Sequence, residues 1–242
     1  MESVMWAFST LQNKGLAYEG YQVLPYCWRD QTPLSNHELR MDDDVYKSRQ
    51  DQSVTVTFPL EGEAAQALGL EGVLALAWTT TPWTLPTNAA LAVGPEVAYG
   101  VVPAGPSSSQ PGQQYLLALD TIGNYRKELG YEDSAEARAA VTRQFTGSEL
   151  GGIHYRRVFD YYADSDQWDM SHAWRILVAD YVATGEGTGI VHQAPAYGED
   201  DQITCAEAGI PVIISVDDAG CFLDQVADVA GLQVFDANKP LT

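Results

Sequence analysis

Two short stretches of this sequence carry residues that could do chemistry together, and the first is a run of three threonines. Thr79–Thr81 follow the apolar residues 73–78 and come just before two prolines that bracket Trp83. Because the prolines fix φ and remove backbone donors, the chain after the threonines is predicted to leave its strand as a stiff loop. Hydroxyl groups at a strand end beside a tryptophan suit a small ligand with an apolar part and polar groups. A plain strand-to-loop crossing explains this stretch alone equally well.

The second stretch, residues 185–201, is glycine-rich, then apolar, and ends in the acidic pair Asp200 and Asp201. A buried carboxylate is the natural partner of a ligand ammonium group, through charge-assisted hydrogen bonds. His192 lies at the predicted strand end nine residues before Asp201 and could face the same cavity. The structural alternative is that the acidic pair caps the helix that follows and that His192 is an ordinary buried histidine.

Together the two stretches resemble the editing domain inserted in class I isoleucyl-tRNA synthetases. Residues 78–88 read Trp-Thr-Thr-Thr-Pro-Trp-Thr-Leu-Pro-Thr-Asn, and residues 187–201 fit the pattern Gly-Thr-Gly-x-Val-His-x-Ala-Pro-x-x-Gly-x-Asp-Asp. The valyl and leucyl enzymes tend to carry Thr-Thr-Arg-Pro in the first motif and to lack the histidine of the second. The resemblance extends over nearly the whole chain.

The resemblance implies a hydrolytic second sieve that removes valine from mischarged tRNA(Ile), with hydrolysis of valyl-adenylate as a further activity. A synthetic site cannot strongly reject a substrate that lacks one methylene, a logic for which isoleucyl-tRNA synthetase is itself a standard illustration. By resemblance, Asp201 holds the α-ammonium, and His192 orients the substrate and helps to exclude isoleucine. The predicted catalytic residues are Thr80, Thr81, His192 and Asp201. The predicted substrate-binding residues are Thr79, Trp83 as a wall of the size filter, Asn88 (which could instead hold the loop), His192 and Asp201.

The motifs of covalent catalysis do not occur, so the predicted mechanism is attack by a positioned water with electrostatic stabilisation of the oxyanion. No general base can be identified from the sequence. The synthetic signatures His-x-Gly-His and Lys-Met-Ser-Lys-Ser are absent from the 242 residues. We therefore expect no cofactor in this fragment, since ATP and magnesium belong to the synthetic domain of such enzymes. Cys27 stands alone where some relatives carry a second cysteine, so no metal site is predicted.

The charge of the chain restricts its partners. With 13 Lys and Arg against 33 Asp and Glu, the net charge is −20, whereas proteins that grip nucleic acid show a basic patch. The expected partners are the 3′ end of mischarged tRNA(Ile), the valine moiety, and the remainder of a parent synthetase that supplies the main grip on tRNA. No apolar run is long enough to span a membrane and no signal peptide is evident, so we expect a monomeric cytoplasmic protein.

Two other functions are compatible with parts of the same sequence. The chain could be a binding module that recognises the aminoacyl ester but needs the parent synthetase for turnover, which the acidic charge favours. It could also be an unrelated small-molecule hydrolase, for which both long motifs would have to be coincidental.

Short apolar runs separated by turn residues predict a mainly β, α+β fold: a β-barrel-like editing domain with peripheral helices and flanking ribbon arms. The predicted domains are residues 1–46 (N-terminal helix and linker arm), 47–235 (editing domain) and 236–242 (return linker). The individual predictions are helices over residues 3–15, 121–129, 134–142 and 202–208, strands over 53–60, 73–78, 89–93, 98–102, 115–119, 176–179 and 211–216, and an extended arm over 231–238.

Overall fold

A computed structural model of the protein describes residues 1–40, 48–164 and 166–242. Its architecture is mainly β with a curled half-barrel sheet and few helices, as the sequence predicted. The boundary predicted between residues 46 and 47 lies outside the described residues. The strands are β1 Tyr26–Cys27, β2 Thr32–Pro33, β3 Val54–Glu61, β4 Leu74–Thr79, β5 Ala90–Val93, β6 Ala98–Pro103, β7 Gln114–Ala118, β8 Arg143–Thr146, β9 His154–Tyr155, β10 Ile176–Val178 and β11 Ile190–Gln193. The α-helices are α1 Glu2–Asn13, α2 Glu63–Ala67, α3 Ser134–Ala139, α4 Gly147–Leu150, α5 Glu199–Glu207 and α6 Val234–Ala237.

The larger sheet has six strands in the order β8-β6-β7-β4-β3-β9. Its centre joins β4 and β7 in parallel, and every other neighbour pair is antiparallel. β3 carries the alternating, β-branched pattern that predicted it, and its register sets Val54 opposite Thr79. The strand that leads into the threonine run is therefore an inner strand of this sheet, with its last residue paired.

The smaller sheet has three strands in the order β10-β5-β11 and brings the second motif into place. β5 pairs in parallel with β10 and antiparallel with β11, with His192 opposite Leu91. All four β5 residues are buried, which explains its uninterrupted apolar sequence.

One core lies between the two sheets. Phe58 of the large sheet, Val93 and Ile190 of the small sheet, and Tyr155 belong to a single buried cluster. The rings of Phe58 and Tyr155 meet edge to face with their centroids 5.2 Å apart. Because β4 and β11 pack against this same core, the ends of the two motif strands are brought to one edge of the molecule.

The helix prediction for residues 121–129 was wrong. The structure has a 3-10 helix at Leu119–Thr121 followed by separate turns. The carbonyl of Gly123 accepts hydrogen bonds from the Ser134 hydroxyl at 3.0 Å and the Arg126 guanidinium at 3.5 Å, and no backbone amide of the described residues donates to it. A side chain distant in sequence replaces the local backbone partner.

Two predictions near the C-terminus were also wrong. Residues 211–216 form no regular strand, because the Ser215 amide donates to the Tyr197 hydroxyl (2.9 Å) where a strand would need a neighbouring carbonyl. The predicted extended arm at residues 231–238 contains α6 instead, and the side chain of Gln233 caps it by accepting a hydrogen bond from the Phe235 amide.

The sequence predicts that residues 16–26 form one extended arm of a ribbon, but the structure pairs only the last of these residues. Between residues 16 and 33 only β1 and β2 pair, with Tyr26 opposite Pro33. The helix α1 forms as its spacing predicted, but none of its residues is buried in the described part of the chain. No helix among the described residues is long and apolar enough to cross a membrane.

Candidate active site

A cavity of about 310 Å³ opens where β4 and β11 end. It is lined by residues of both motifs: Trp78, Thr79, Thr80, Thr81, Thr84, Ala183, Glu186, Gly187, Thr188, Gly189, Ile190, Val191, His192, Ala194, Tyr197 and Asp201. Five of the seven residues predicted from the sequence are therefore together in one cavity. The volume lies at the small end of the range for small-molecule sites, which suits an amino-acid moiety.

The threonine run forms the rim of this cavity. Thr79 is buried, and its hydroxyl accepts a hydrogen bond from the Thr81 amide at 3.1 Å and lies 3.2 Å from the Thr81 hydroxyl. A 3-10 helix, Pro82–Thr87, begins directly after Thr81, with a proline at the position where a helix needs no backbone donor. Thr80 is exposed at the rim, and its hydroxyl has no hydrogen-bond partner in the described part of the chain. Of the three hydroxyls, that of Thr80 is the one left to meet a ligand or a water.

His192 lies at the end of β11 with both ring nitrogens hydrogen-bonded. Its Nε2 is 2.8 Å from the Thr84 hydroxyl and its Nδ1 is 2.9 Å from the Asn88 side-chain nitrogen. Burial lowers the pKa of the imidazole from 6.5 to about 4, so the ring is neutral at neutral pH. A neutral ring with both nitrogens already bonded is suited to shaping and orienting, and neither nitrogen is free to take up a proton.

Asp201 lies in the first turn of α5 and is the half-buried carboxylate of the cavity, whereas Glu186, the other lining carboxylate, is exposed. Its Oδ2 accepts a hydrogen bond from the Ala194 amide at 2.8 Å, which ties the start of the helix to the end of β11. Burial, with the neighbouring charge of Asp200 as a smaller cause, raises the pKa of Asp201 to about 6, against the opposing effect of that hydrogen bond. Gly198 precedes the helix, and a Cβ there would lie 2.8 Å from the Asp201 carboxyl carbon. A carboxylate that is costly to charge in this place gains stability when a cation binds beside it.

The glycine-rich segment before β11 forms another wall. Gly187 packs against the ring of Trp78, and Gly189 packs so closely on the large sheet that a Cβ would lie 2.4 Å from that of Ala118. Both glycines have positive φ, 67° and 76°. Between them, the Thr188 hydroxyl donates to the carbonyl of Leu76 in β4. These contacts join the two motifs directly.

Trp83 and Asn88 are not among the lining residues. Trp83 packs edge to face against Tyr197, with ring centroids 4.7 Å apart, and its amide donates to the Asn238 side chain. Trp78 and Tyr197 are the aromatic residues that line the cavity. Asn88 is buried behind His192, where it holds the ring. Sequence reasoning passed over Trp78, Thr84 and Tyr197 as lining residues, although all three lie within the two motifs.

Two cysteines and several aromatic residues lie outside the cavity and make contacts of a structural kind. The Cys27 thiol donates to the Asp30 carboxylate at 3.1 Å, and burial raises the pKa of Cys205 to about 12. Among the described residues, no three His, Cys, Asp or Glu side chains come together as a metal-binding group. The aromatic residues Tyr162, Trp168 and Trp174 pack in or against a second buried cluster.

Comparison with known proteins places the chain in a class. Residues 1–194 match the family model described as tRNA synthetases class I (I, L, M and V). The chain belongs to that family. Two solved domains share its fold. GlLeuRS-CP1 has a TM-score of 0.55 at 13% identity, covering 78% of this chain and 94% of that one. The editing domain of the P. knowlesi cytosolic leucyl-tRNA synthetase has a TM-score of 0.53 at 10% identity, covering 80% and 93%.

Within the family, the curated relatives identify the particular enzyme that the chain is similar to. It is 66% identical over 251 residues to the isoleucine–tRNA ligase of Leifsonia xyli subsp. xyli (strain CTCB07), covering 100% of this chain and 22% of that protein. It is 55% identical over 238 residues to the isoleucine–tRNA ligase of Tropheryma whipplei (strain Twist), covering 98% and 22%. The resemblance to class I isoleucyl-tRNA synthetases is thereby confirmed, and the fold is that of the two solved domains. The chain spans about a fifth of the length of these relatives.

Proposed function

We propose that this chain is a hydrolytic editing domain that removes valine from mischarged tRNA(Ile). The observation that carries the proposal is that the two motifs, more than a hundred residues apart in sequence, form one small cavity with a carboxylate on one side and hydroxyls at its rim. A ligand with an ammonium group, a short branched side chain and an ester matches that set of groups. Valyl-adenylate carries the same aminoacyl part and is proposed as a second substrate of the same cavity.

Asp201 is proposed to bind the α-ammonium. Its desolvated carboxylate is partly protonated near pH 6 when the cavity is empty, and an ammonium ion beside it favours the charged form. A charge-assisted hydrogen bond of this kind contributes about 1.5–3 kcal/mol. Binding of an uncharged ester would gain none of this, so the free amine becomes a requirement of the site.

The hydroxyls at the rim are proposed to handle the reacting ester. We propose that Thr80, whose hydroxyl has no partner among the described residues, and Thr81 beside it orient the attacking water and the ester oxygen. Water is the proposed nucleophile, and stabilisation of the oxyanion by fixed donors supplies the main catalytic effect. His192, neutral and bonded on both nitrogens, is proposed to set the shape of the side-chain subsite that admits valine and excludes isoleucine.

The remainder of a longer synthetase is proposed as the partner that brings the tRNA. The apolar side of α1 is open to solvent, with Val4 and Phe8 each more than half exposed. Such a surface is typical of an interface. We propose that residues 1–46 and 236–242 connect residues 47–235 to that remainder, and that this fragment needs no cofactor of its own.

The decisive experiment is deacylation of Val-tRNA(Ile) and Ile-tRNA(Ile) by this chain, with two matched variants. Asp201→Ala is expected to lose roughly ten- to a hundredfold in kcat/KM for the valyl ester. Asp200→Ala is the control, because Asp200 is exposed and does not line the cavity. Equal rates for the two variants would contradict the role of Asp201.

A second function, binding without turnover, is favoured by one observation. The net charge of −20 leaves few cations with which the chain alone could hold tRNA. In that case neither ester is cleaved, while a non-hydrolysable valyl-adenosine analogue still binds and Asp201→Ala abolishes the binding.

A further inference from the structure

Tyr155 lies behind the cavity, and its hydroxyl begins a row of hydrogen bonds that ends at the threonine rim. It is 2% exposed, and its hydroxyl is 2.7 Å from the Asn88 side-chain oxygen. The Asn88 side-chain nitrogen is in turn 2.9 Å from Nδ1 of His192. Tyr155 comes from β9, whose two residues formed no part of either motif. It is not among the residues that line the cavity, and its polar link to the site is the hydrogen bond to Asn88.

The direction of every bond in this row follows from one carbonyl group. The Asn88 nitrogen is also 3.0 Å from the backbone carbonyl of Ala90. A carbonyl can only accept, so the Asn88 atom facing both Ala90 and His192 must be the NH2 group and the oxygen must face Tyr155. The NH2 group donates to His192 Nδ1, which is therefore unprotonated.

The rest of the row is then determined. With Nδ1 unprotonated, the single proton of the neutral ring is on Nε2 and is donated to the Thr84 hydroxyl, 2.8 Å away. The Thr84 hydroxyl donates to the carbonyl of Thr81 at 2.9 Å, and the Thr84 amide donates to the same carbonyl at 3.0 Å. In each of these hydrogen bonds the residue nearer the core donates to the next residue toward the rim, in the order Tyr155, Asn88, His192, Thr84, Thr81.

We propose that Tyr155 is a positioning residue which, through Asn88, fixes His192 in its Nε2–H tautomer and in a single ring orientation, and so sets the shape of the valine subsite. The tautomer is a property of the folded chain, whereas the consequence for valine and isoleucine rests on the proposed function. The side chains in the row (Tyr155, Asn88, His192 and Thr84) are neutral and buried, and hydrogen bonds in such surroundings are costly to leave unmade. Removing the Tyr155 hydroxyl leaves the Asn88 oxygen without that donor, and among the described residues the Ala90 carbonyl is then the one group outside the row that orients the amide against His192.

The test is a nitrogen NMR spectrum of the 15N-histidine-labelled chain, in which His192→Gln identifies the His192 signals among those of the four histidines. We expect one set of signals in the unsubstituted chain, with Nδ1 unprotonated and Nε2 protonated. Tyr155→Phe is expected to give two tautomers or exchange-broadened signals for His192. Tyr131→Phe is the control, because Tyr131 is also a buried tyrosine with one hydroxyl bond, to the Pro103 carbonyl, and packs in a different cluster. A proton on Nδ1 in the unsubstituted chain, or an unchanged His192 spectrum in Tyr155→Phe, overturns the proposal.

A second variant keeps the test decisive if Tyr155→Phe does not fold. Asn88→Asp replaces the donor with an acceptor, so the proton is expected to move to Nδ1 of His192, which reverses the tautomer. If the spectrum of this variant still shows the proton on Nε2, Asn88 does not set the tautomer and the proposal is wrong.

The consequence for the reaction is measured separately, as the ratio of kcat/KM for Val-tRNA(Ile) and Ile-tRNA(Ile). Tyr155→Phe is expected to lower this ratio by roughly tenfold, mainly by letting the isoleucyl ester react, because one methylene is worth about that much in a fitted pocket. Tyr131→Phe is expected to leave it unchanged. An unaltered ratio in a Tyr155→Phe chain whose His192 signals have changed overturns the link to specificity. If the unsubstituted chain cleaves neither ester, the proposed function fails, and the spectra still decide the role of Tyr155.

Discussion

At the scale of single residues, His192 and Asp201, two titratable groups of the cavity, have pKa values that burial shifts in opposite directions. The pKa of His192 falls from 6.5 to about 4 and that of Asp201 rises from 3.8 to about 6. Both shifts favour the uncharged form, which is what burial requires of an acid and of a base. Between these two pKa values both side chains are therefore largely uncharged, and the charged form of Asp201 is favoured when a cation binds beside it.

These shifts make opposite contributions to stability over overlapping pH ranges. Between pH 6.5 and about 4 the unfolded chain binds a proton on His192 that the folded chain does not, so stability falls as the pH drops. Between pH 3.8 and about 6 the folded chain keeps a proton on Asp201 that the unfolded chain has lost, so stability falls as the pH rises. The two slopes largely cancel in the unsubstituted chain.

Single substitutions should reveal each slope. Relative to the unsubstituted chain, His192→Gln is expected to gain about 2 kcal/mol between pH 7 and pH 4.5, because the unfolded state no longer binds the extra proton. Asp201→Asn is expected to show the reverse, a relative gain of about 2 kcal/mol between pH 4.5 and pH 7. Urea unfolding at both pH values measures these differences. Parallel pH profiles for the two variants would contradict the assigned shifts.

At the scale of elements, the cavity depends on how closely β11 approaches the large sheet. The approach is made at Gly189, next to β11, where φ is 76° and where the neighbouring Cβ is that of Ala118 in β7. The Ala118 amide also donates to the Thr188 carbonyl at 2.9 Å. A side chain at position 189 would force these two segments apart and displace His192 with them.

Gly189→Ala is expected to lower the free energy of unfolding by more than the cost of placing an alanine at positive φ. Gly72 provides the control, because it has nearly the same φ of 75° but nothing within 4 Å of an added Cβ. Gly72→Ala is expected to cost about 1 kcal/mol through its backbone conformation. Gly189→Ala adds the clash with Ala118 and is expected to cost at least about 2–3 kcal/mol. Equal unfolding free energies for the two variants would show that the close approach carries no strain.

At the scale of the whole molecule, the burial of large apolar side chains differs between the two sheets and α1. The editing fold buries its large side chains between two sheets, whereas α1 buries none. Trp6 is 71% exposed and Met5 68% exposed. In a chain that spans about a fifth of the length of its relatives, this helix is stable only to the extent that another surface covers it.

Removal of residues 1–15 is therefore expected to leave the stability of the remaining fold unchanged. The thermal midpoint should shift by no more than about 1 °C, since loss of 1 kcal/mol would move it by roughly 2–4 °C in a domain of this size. Far-ultraviolet circular dichroism should show the loss of helix at the same time. A fall of several degrees would mean that α1 packs on the fold in solution.

Local pattern alone determined several parts of this protein. The apolar runs that became β4, β5 and β11 and the alternating run of β3 could be predicted, because the local pattern of each matches its burial. The helix predicted over residues 202–208 also forms, but it begins at Glu199, so the acidic pair lies in its first turn and not before it. The motifs also identified Thr80, His192 and Asp201 as companions in one site. The resemblance to a known family, and not periodicity, predicted that these three residues lie together.

Only the tertiary structure decided which side chains serve those residues. Tyr155 lies 37 residues before His192 in the sequence, in a strand of two residues that no pattern marks, and reaches the site because β9 joins the edge of the large sheet. The failures at residues 121–129 and 211–216 have the same cause, since Ser134 and Tyr197 supply hydrogen bonds from elsewhere in the chain. Periodicity records which face of an element is buried, but the partner of a buried polar group depends on which distant segment packs there, and only the folded chain determines that.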